Sequence, residues 1–168
     1  MALVSIRGAD QLGWLQPSWF GRTVEITSSD SLAAILRFQN WGRRCDATSA
    51  DGMWRFESKG FFGKTVNITS LPGGAAVGTH ASRFRGGILR LSEGDVYEWK
   101  ALGFWSGEMA FLTPSGFPIE TFSTKRFSLR NRGVVRIHRE YTELAELPLL
   151  VMLGVHLTLA EQRSRRAV

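Results

Sequence analysis

The sequence is poor in the residues that most often carry chemistry. It contains one cysteine, Cys45, which excludes a disulfide framework and every multi-cysteine zinc or iron–sulfur site. Its three histidines, His80, His138 and His156, lie far apart and share no metal-ligand spacing. None of them is close in sequence to Cys45, so a cysteine nucleophile would lack a local base. These absences favour a protein that is not an enzyme and holds no cofactor or metal.

A membrane-spanning segment is also missing. The longest apolar run, Leu147–Ala160, would span about 21 Å as a helix, whereas the hydrocarbon core needs about 20 apolar residues. The run also contains Pro148 and His156. The first residues, Met1–Trp14, lack the apolar stretch of a signal peptide. We therefore expect a cytoplasmic protein, peripheral at the membrane if it binds one, with a buried helix near its end.

Acidic residues are outnumbered, which favours anionic partners. The chain has 21 lysines and arginines against 15 acids, a net charge of +6. Arginine forks suit phosphate oxygens in bidentate geometry, and the bases concentrate in two groups. The anion- or lipid-binding candidates are Arg83 and Arg85 in the first group and Lys125, Arg126, Arg130 and Arg132 in the second; Arg90 extends the first group, and Arg136 and Arg139 extend the second.

Aromatic residues occur in adjacent pairs. In a strand one member of each pair must face outward, and exposed aromatic rings anchor proteins at membrane interfaces. The pairs are Trp19–Phe20, Phe104–Trp105 and Phe61–Phe62. The predicted aromatic anchors are Trp19, Phe61, Phe62 and Trp105.

The central part of the chain reads as six hairpins. Runs with alternating or β-rich composition are separated by short turns that contain Gly, Pro, Asp, Asn and Ser. The predicted strands are 23–27, 32–38, 44–49, 53–58, 64–70, 75–81, 87–91, 96–100, 108–112, 117–123, 127–129 and 134–137. Closure of such a meander into a barrel removes its exposed edges.

The last part of the chain predicts a helix without a polar stripe, which must be surrounded. A barrel of about twelve strands is wide enough to contain it. We therefore predict a single domain over 1–168: an all-β closed barrel with strands between 12 and 139, enclosing a hydrophobic helix at 143–163. His156 is expected in the core or lumen, and His80 and His138 at the surface.

Four segments follow one another in hairpin order before the apolar helix: ATSADGMWRF, GFFGKTVNI, GGILRLSEGDVYEWK and EMAFLTPSGFPI. In these segments and in their order the chain resembles the tubby C-terminal-like superfamily, over about residues 12–163. The chain is most similar to its short bacterial and LURP-one-related members. The resemblance implies a closed barrel around a central helix. It also implies lipid binding, as in the tubby proteins. Calcium-dependent scrambling, as in the phospholipid scramblases, is not expected, since the chain lacks a run of alternating acids and a cysteine-rich tract.

Three hypotheses for function remain open from the sequence. The first is a non-catalytic module that docks to an anionic lipid or membrane surface, with Arg126, Arg130 and Arg132 on phosphates. The second is a small-molecule carrier or enzyme with a pocket between helix and wall near His156. The third is an interaction scaffold for an acidic protein. Nucleic acid is not an expected partner, because no recognition helix is present.

Overall fold

The computed structural model describes residues 2–18, 21–39, 42–60, 65–103, 106–125 and 130–166. Within them, twelve antiparallel strands close into one barrel in the order β1-β12-β11-β10-β9-β8-β7-β6-β5-β4-β3-β2. The strands are β1 Gln11–Leu15, β2 Thr23–Ser28, β3 Ser31–Gln39, β4 Arg44–Ser49, β5 Gly52–Lys59, β6 Thr65–Ser70, β7 Ala76–Arg83, β8 Gly86–Leu91, β9 Val96–Leu102, β10 Glu108–Leu112, β11 Pro118–Thr124 and β12 Arg132–Ile137.

Alternation along the strands sets which side chains face the interior. In β2, Val24 and Ile26 are fully buried while Glu25 between them is half-buried, as expected for a strand with one face on a core. The turn that follows is Ser29–Asp30, and both residues have positive φ, 46° and 66°. Two positive φ values match the right-handed twist of a hairpin, and short polar side chains tolerate them.

The barrel is closed by a strand that the hairpin pattern did not include. β1 pairs with β12 from Gln11↔Arg136 to Leu15↔Arg132, and with β2 on its other side. β1 is only five residues long and has Gly13 at its centre, so its β signal is weak. The predicted strand 127–129 lies outside the described residues. The prediction of a closed barrel of about twelve strands around a helix is confirmed.

The helix, α1 (Leu147–Arg166), runs through the barrel. Every residue from Leu147 to Leu159 is buried, on all sides of the helix. It packs against β3, β4 and β5 on one side and against β10 and β11 on the other. A Cβ at Gly154 would lie 2.1 Å from the Phe122 ring, so glycine lets helix and wall approach. The residues 143–146, which the sequence prediction included in the helix, form turns before it.

The interior is apolar and includes tryptophans from the wall. Trp14 and Trp99 are buried, and Trp99 packs against Phe111 and Phe122 with ring centroids 4.7 and 5.2 Å apart. Such tilted and edge-on contacts stabilise aromatic clusters. These two tryptophans therefore belong to the core.

In the described part of the chain, α1 included, no helix combines the length and the apolar character that crossing a membrane requires.

Candidate functional site

Because neighbouring strands alternate in direction, the connections between them emerge alternately at two ends of the barrel. We name the ends by the charge of their connections. The basic end has the connections 16–22, 40–43, 60–64, 84–85, 103–107 and 125–131; the acidic end has 29–30, 50–51, 71–75, 92–95, 113–117 and 138–146.

The connections of the basic end contain bases and no acid. Among their described residues, five are basic: Arg22, Arg43, Arg85, Lys125 and Arg130. All are exposed except Arg85, which is half-buried. The remaining residues of these connections add Lys64 and Arg126 in sequence, and again no acid. Half-buried acids also lie near this end but outside the connections: Glu57 on β5, which pairs with Arg44, Glu108 on β10 and Glu161 on α1.

The acidic end shows the reverse composition. Its six connections are fully described, and Arg139 is their one base. Their seven acids are Asp30, Asp51, Glu93, Asp95, Glu140, Glu143 and Glu146. The charge of the connections is thus segregated along the barrel axis, and such a distribution orients a protein in an external field.

The structure brings most of the predicted basic residues to one end. Arg83 and Arg132 lie at strand ends beside the basic connections, and Lys125, Arg130 and Arg85 lie within them. Arg126 lies outside the described residues. Arg90, Arg136 and Arg139, which extended the two sequence groups, lie toward the acidic end and do not join this set. Sequence proximity therefore grouped residues that the strands separate.

The turn between β7 and β8 presents the most exposed aromatic side chain of the described residues. Phe84 is 94% exposed. Arg85 has φ +58°, and its Nη2 donates a hydrogen bond to the carbonyl oxygen of Gly103 at 3.1 Å, which ties this turn to the next basic connection. Sequence analysis did not select Phe84. Its position between Arg83 and Arg85, at the tip of a hairpin, was the available signal.

The predicted aromatic anchors Trp19, Phe61, Phe62 and Trp105 all lie outside the described residues. Each belongs in sequence to a basic-end connection, as do Phe20, Trp41, Phe104 and Phe127.

Hydrogen bonds hold two of the basic connections together. The Asn131 side-chain amide donates to Gln16 Oε1 at 2.9 Å, and the backbone N–H of Gln16 donates to the carbonyl oxygen of Asn131 at 2.8 Å. Gln16 Nε2 also donates to the Gly21 carbonyl oxygen at 2.6 Å. Next to them, Gln162 of α1 donates to Thr124 Oγ1 at 2.9 Å. These bonds position the arginine-bearing segments relative to the end of the helix.

The last turns of α1 bring further positive charge to the basic end. Arg163 lies over the Phe38 ring, 4.7 Å from its centroid, and burial lowers the pKa of its guanidinium. A base in this place also complements the negative end of the helix dipole. The helix therefore reinforces the charge of the basic connections.

The single cysteine does not form a reactive site. Cys45 is fully buried on β4, and burial, with the nearby Asp46 carboxylate as the second cause, raises the pKa of its thiol. A thiol held protonated is a poor nucleophile. This agrees with the interpretation of Cys45 as a strand residue.

Three of the buried polar side chains are titratable: His80, His156 and Glu120. His80, predicted at the surface, is 1% exposed, and His156 is 1% exposed as expected for the core. The surface prediction for His80 is wrong because its neighbours Thr79 and Ala81 take the outward positions of β7. Glu120 on β11 is also buried, and burial raises the pKa of its carboxyl well above the usual range. No described residue forms a hydrogen bond with these three side chains.

Comparison with known proteins adds no relative to this geometry. No family model matches the chain, and no curated protein and no solved structure matches it.

Proposed function

We propose that this chain is a non-catalytic binding module of the tubby-like type that docks to an anionic membrane surface through the basic end of its barrel. The observation that carries the proposal is the segregation of charge: the connections of one end are basic without an acid, and those of the other end are acidic with one base. A uniformly basic protein would bind a flat anionic surface in any orientation. A protein with basic connections at one end only binds such a surface with that end.

Electrostatic attraction supplies the first part of the binding. Each lysine or arginine near an anionic leaflet contributes about 1 kcal/mol. Arg22, Arg43, Lys125 and Arg130 are exposed at this end, and the arginine forks suit lipid phosphates. The acids of the opposite end are repelled by the same surface, so they orient the barrel axis toward the membrane normal.

Apolar contact supplies the second part. Phe84 stands out from the β7–β8 turn with arginines on both sides. An aromatic ring flanked by cations is typical of a side chain that enters the headgroup region of a bilayer. Phe117 is the comparable residue at the acidic end, 64% exposed on a connection that carries no base.

Co-sedimentation with vesicles tests the proposal. We expect binding to phosphatidylcholine vesicles that contain phosphatidylserine, a loss of binding as salt rises, and no binding to phosphatidylcholine alone. Equal binding to both vesicles, or binding to neither, would contradict the proposal. Binding to neither vesicle would move the inference to an acidic protein partner.

Matched charge variants test which end is used. The triple variant Arg22→Ala/Arg43→Ala/Lys125→Ala and the triple variant Arg90→Ala/Arg136→Ala/Arg139→Ala remove three exposed charges each, the first at the basic end and the second toward the acidic end. We expect the first to weaken binding by about 100-fold, as three charges at about 1 kcal/mol each predict, and the second by a factor of about three or less. An equal loss in both would show that only net charge matters.

Matched aromatic variants test the apolar contact. We expect Phe84→Ser to weaken vesicle binding severalfold even at high salt, where the electrostatic part is screened. Phe117→Ser serves as its control, because it removes the same side chain from the acidic end. A Phe84→Ser variant that binds like the wild type would remove Phe84 from the docking surface.

A further inference from the structure

A cavity of about 220 Å³ lies between the C-terminal half of α1 and the barrel wall. His80 from β7 and His156 from α1 both line it, and so do residues of β6, β9 and β10. An apolar cavity of about 150 Å³ is already large enough to bind benzene. The space therefore accommodates a substituted aromatic ring.

The two imidazole rings lack hydrogen-bond partners. Each histidine is 1% exposed, and none of the four ring nitrogens is bonded to a described residue. Buried polar groups in proteins are almost always paired. A neutral imidazole has one donor and one acceptor, so a molecule that donates and accepts hydrogen bonds would supply what both rings lack.

The other walls of the cavity favour a flat, apolar body. Trp99, Met109 and Leu157 face the same space, and aromatic rings and thioether sulfur pack well against a planar ring. Large apolar side chains next to a few convergent polar groups are typical of small-molecule sites.

Both histidine rings are held in place by their neighbours. The His156 ring stacks on Phe38 with centroids 5.7 Å apart and planes 12° apart, and it contacts Phe56 at 5.4 Å. At His80 a Cβ on Gly87 would lie 2.5 Å from Nε2, so glycine at this point of β8 makes room for the ring. The two polar groups are therefore preorganised.

The site is uncharged at its inner end. Burial lowers the pKa of His80 to about 4. The pKa of His156 is lowered to about 3, first by burial and then by the nearby Arg163 and His80. The rings offer hydrogen bonds and no charge at neutral pH. Within the described part of the chain no three His, Cys, Asp or Glu side chains are placed to hold a metal ion. A neutral polar group matches this environment better than a carboxylate or a metal.

We propose that this cavity binds a small uncharged aromatic molecule that carries one hydrogen-bonding group, such as a phenol or a nitrogen heteroaromatic ring. His80 and His156 hydrogen-bond the polar group, and Trp99 and Met109 contact the ring. The charged lining residues lie toward the basic end, together with Ser82 and Ser164, and this side gives the ligand its route; they are Arg83, Arg85 and Glu161. The site does not depend on membrane docking.

Side-chain NMR of histidine-labelled protein tests this, with phenol as the probe and toluene as its control of equal shape. We expect phenol to shift the ring signals of His80 and His156 in a saturable way and to leave those of the exposed His138 unchanged. Toluene should bind about tenfold more weakly, since one lost hydrogen bond of about 1.4 kcal/mol corresponds to that factor. Absence of saturable binding, or equal binding of toluene, overturns the proposal.

Two variants separate the histidines from the cavity itself. We expect His156→Phe to keep the fold, because it replaces an unpaired polar ring with an apolar one, and to lose about tenfold in phenol affinity while toluene affinity is kept. His138→Phe is the matched control and should bind phenol like the wild type. Unchanged phenol affinity in His156→Phe overturns the assigned role. If His156→Phe does not fold, the comparison of phenol with toluene on the wild-type chain still decides the proposal.

Discussion

Both ends of the barrel consist of connections between antiparallel strands, but they differ in what covers the opening. At the acidic end the segment before β1 covers the opening: Ile6 is fully buried, and the Asp51 carboxylate accepts hydrogen bonds from Ser5 Oγ at 2.8 Å and from the Ile6 N–H at 3.0 Å. At the basic end lies the last part of α1, which carries Arg163, and a cavity lies between this part of the helix and the barrel wall. One end is therefore covered by a segment of the chain, whereas at the other end a cavity remains beside the helix.

The interior differs between the same two ends. Glu120 and Tyr97 lie toward the acidic end. The pKa of the Tyr97 phenol is raised to about 12, first by burial and then by the carboxylates of Glu146, Asp95 and Glu120. Toward the basic end lie His80 and His156. Buried acids and buried histidines respond to pH in opposite directions, so the two halves of the core can be distinguished by titration.

The largest effect is expected from a charge placed where both halves of the core meet. Leu153 lies in the middle of α1 and is fully buried, so Leu153→Asp should unfold the domain, at a cost above about 5 kcal/mol. Circular dichroism and urea unfolding measure this. Leu153→Met is the control and should cost less than about 1.5 kcal/mol. A Leu153→Asp variant with the wild-type unfolding midpoint would show that α1 is not enclosed.

The next effect concerns the contact between α1 and the wall. Gly154→Ala gains about 1 kcal/mol of helix propensity, but the new Cβ would lie 2.1 Å from the Phe122 ring. We expect overpacking to win, with a net loss of about 1–2 kcal/mol in the free energy of unfolding. The double variant Gly154→Ala/Phe122→Leu should recover part of the loss. A more stable Gly154→Ala variant would contradict this packing.

The basic half of the core should lose stability in acid. The folded-state pKa values of His80 and His156, about 4 and about 3, lie below the unfolded value of 6.5. The unfolded chain then binds more protons between these values, so stability falls as pH drops below about 6.5, by up to roughly 1.4 kcal/mol per pH unit for each ring. Urea unfolding at several pH values should show a shallower acid loss in His156→Phe than in His138→Phe.

The acidic half should respond in the opposite direction, with a smaller effect because one group is involved. The pKa of Glu120 is raised in the folded state. Its contribution to stability is therefore fully present below the unfolded pKa near 4.5 and is lost as pH rises through the folded value. We expect Glu120→Gln to be more stable than the wild type at alkaline pH, with a gain that disappears near pH 4. A gain independent of pH would mean that Glu120 does not titrate in this way.

Much of the fold could be predicted from local pattern. Turn residues at regular spacing indicated the hairpins, and the apolar run at Leu147–Ala160 indicated a helix that must be surrounded. Two errors have physical causes. β1 is short and contains Gly13, so its strand signal is weak, and its place is decided by the open edge of β12. His80 was assigned to the surface because a single residue of a strand gives no reliable indication of its face.

The candidate site was harder to predict. Arg83, Arg85, Lys125, Arg130 and Arg132 were selected from their density in sequence, but that density also selected Arg90, Arg136 and Arg139. Only the direction of each strand separates the two sets. Phe84 was not selected at all, because its exposure depends on a two-residue turn whose length the sequence pattern did not define.

By itself the sequence determined the all-β class, the enclosed helix and the basic net charge, because these depend on composition and on periodicity within a few residues. The tertiary structure decided which connections share an end of the barrel, and with it the separation of basic from acidic residues. It also decided that His80 and His156 face one cavity. Both depend on strand direction and register, which bring together residues such as Arg22 and Lys125, or His80 and His156, that are far apart in the chain.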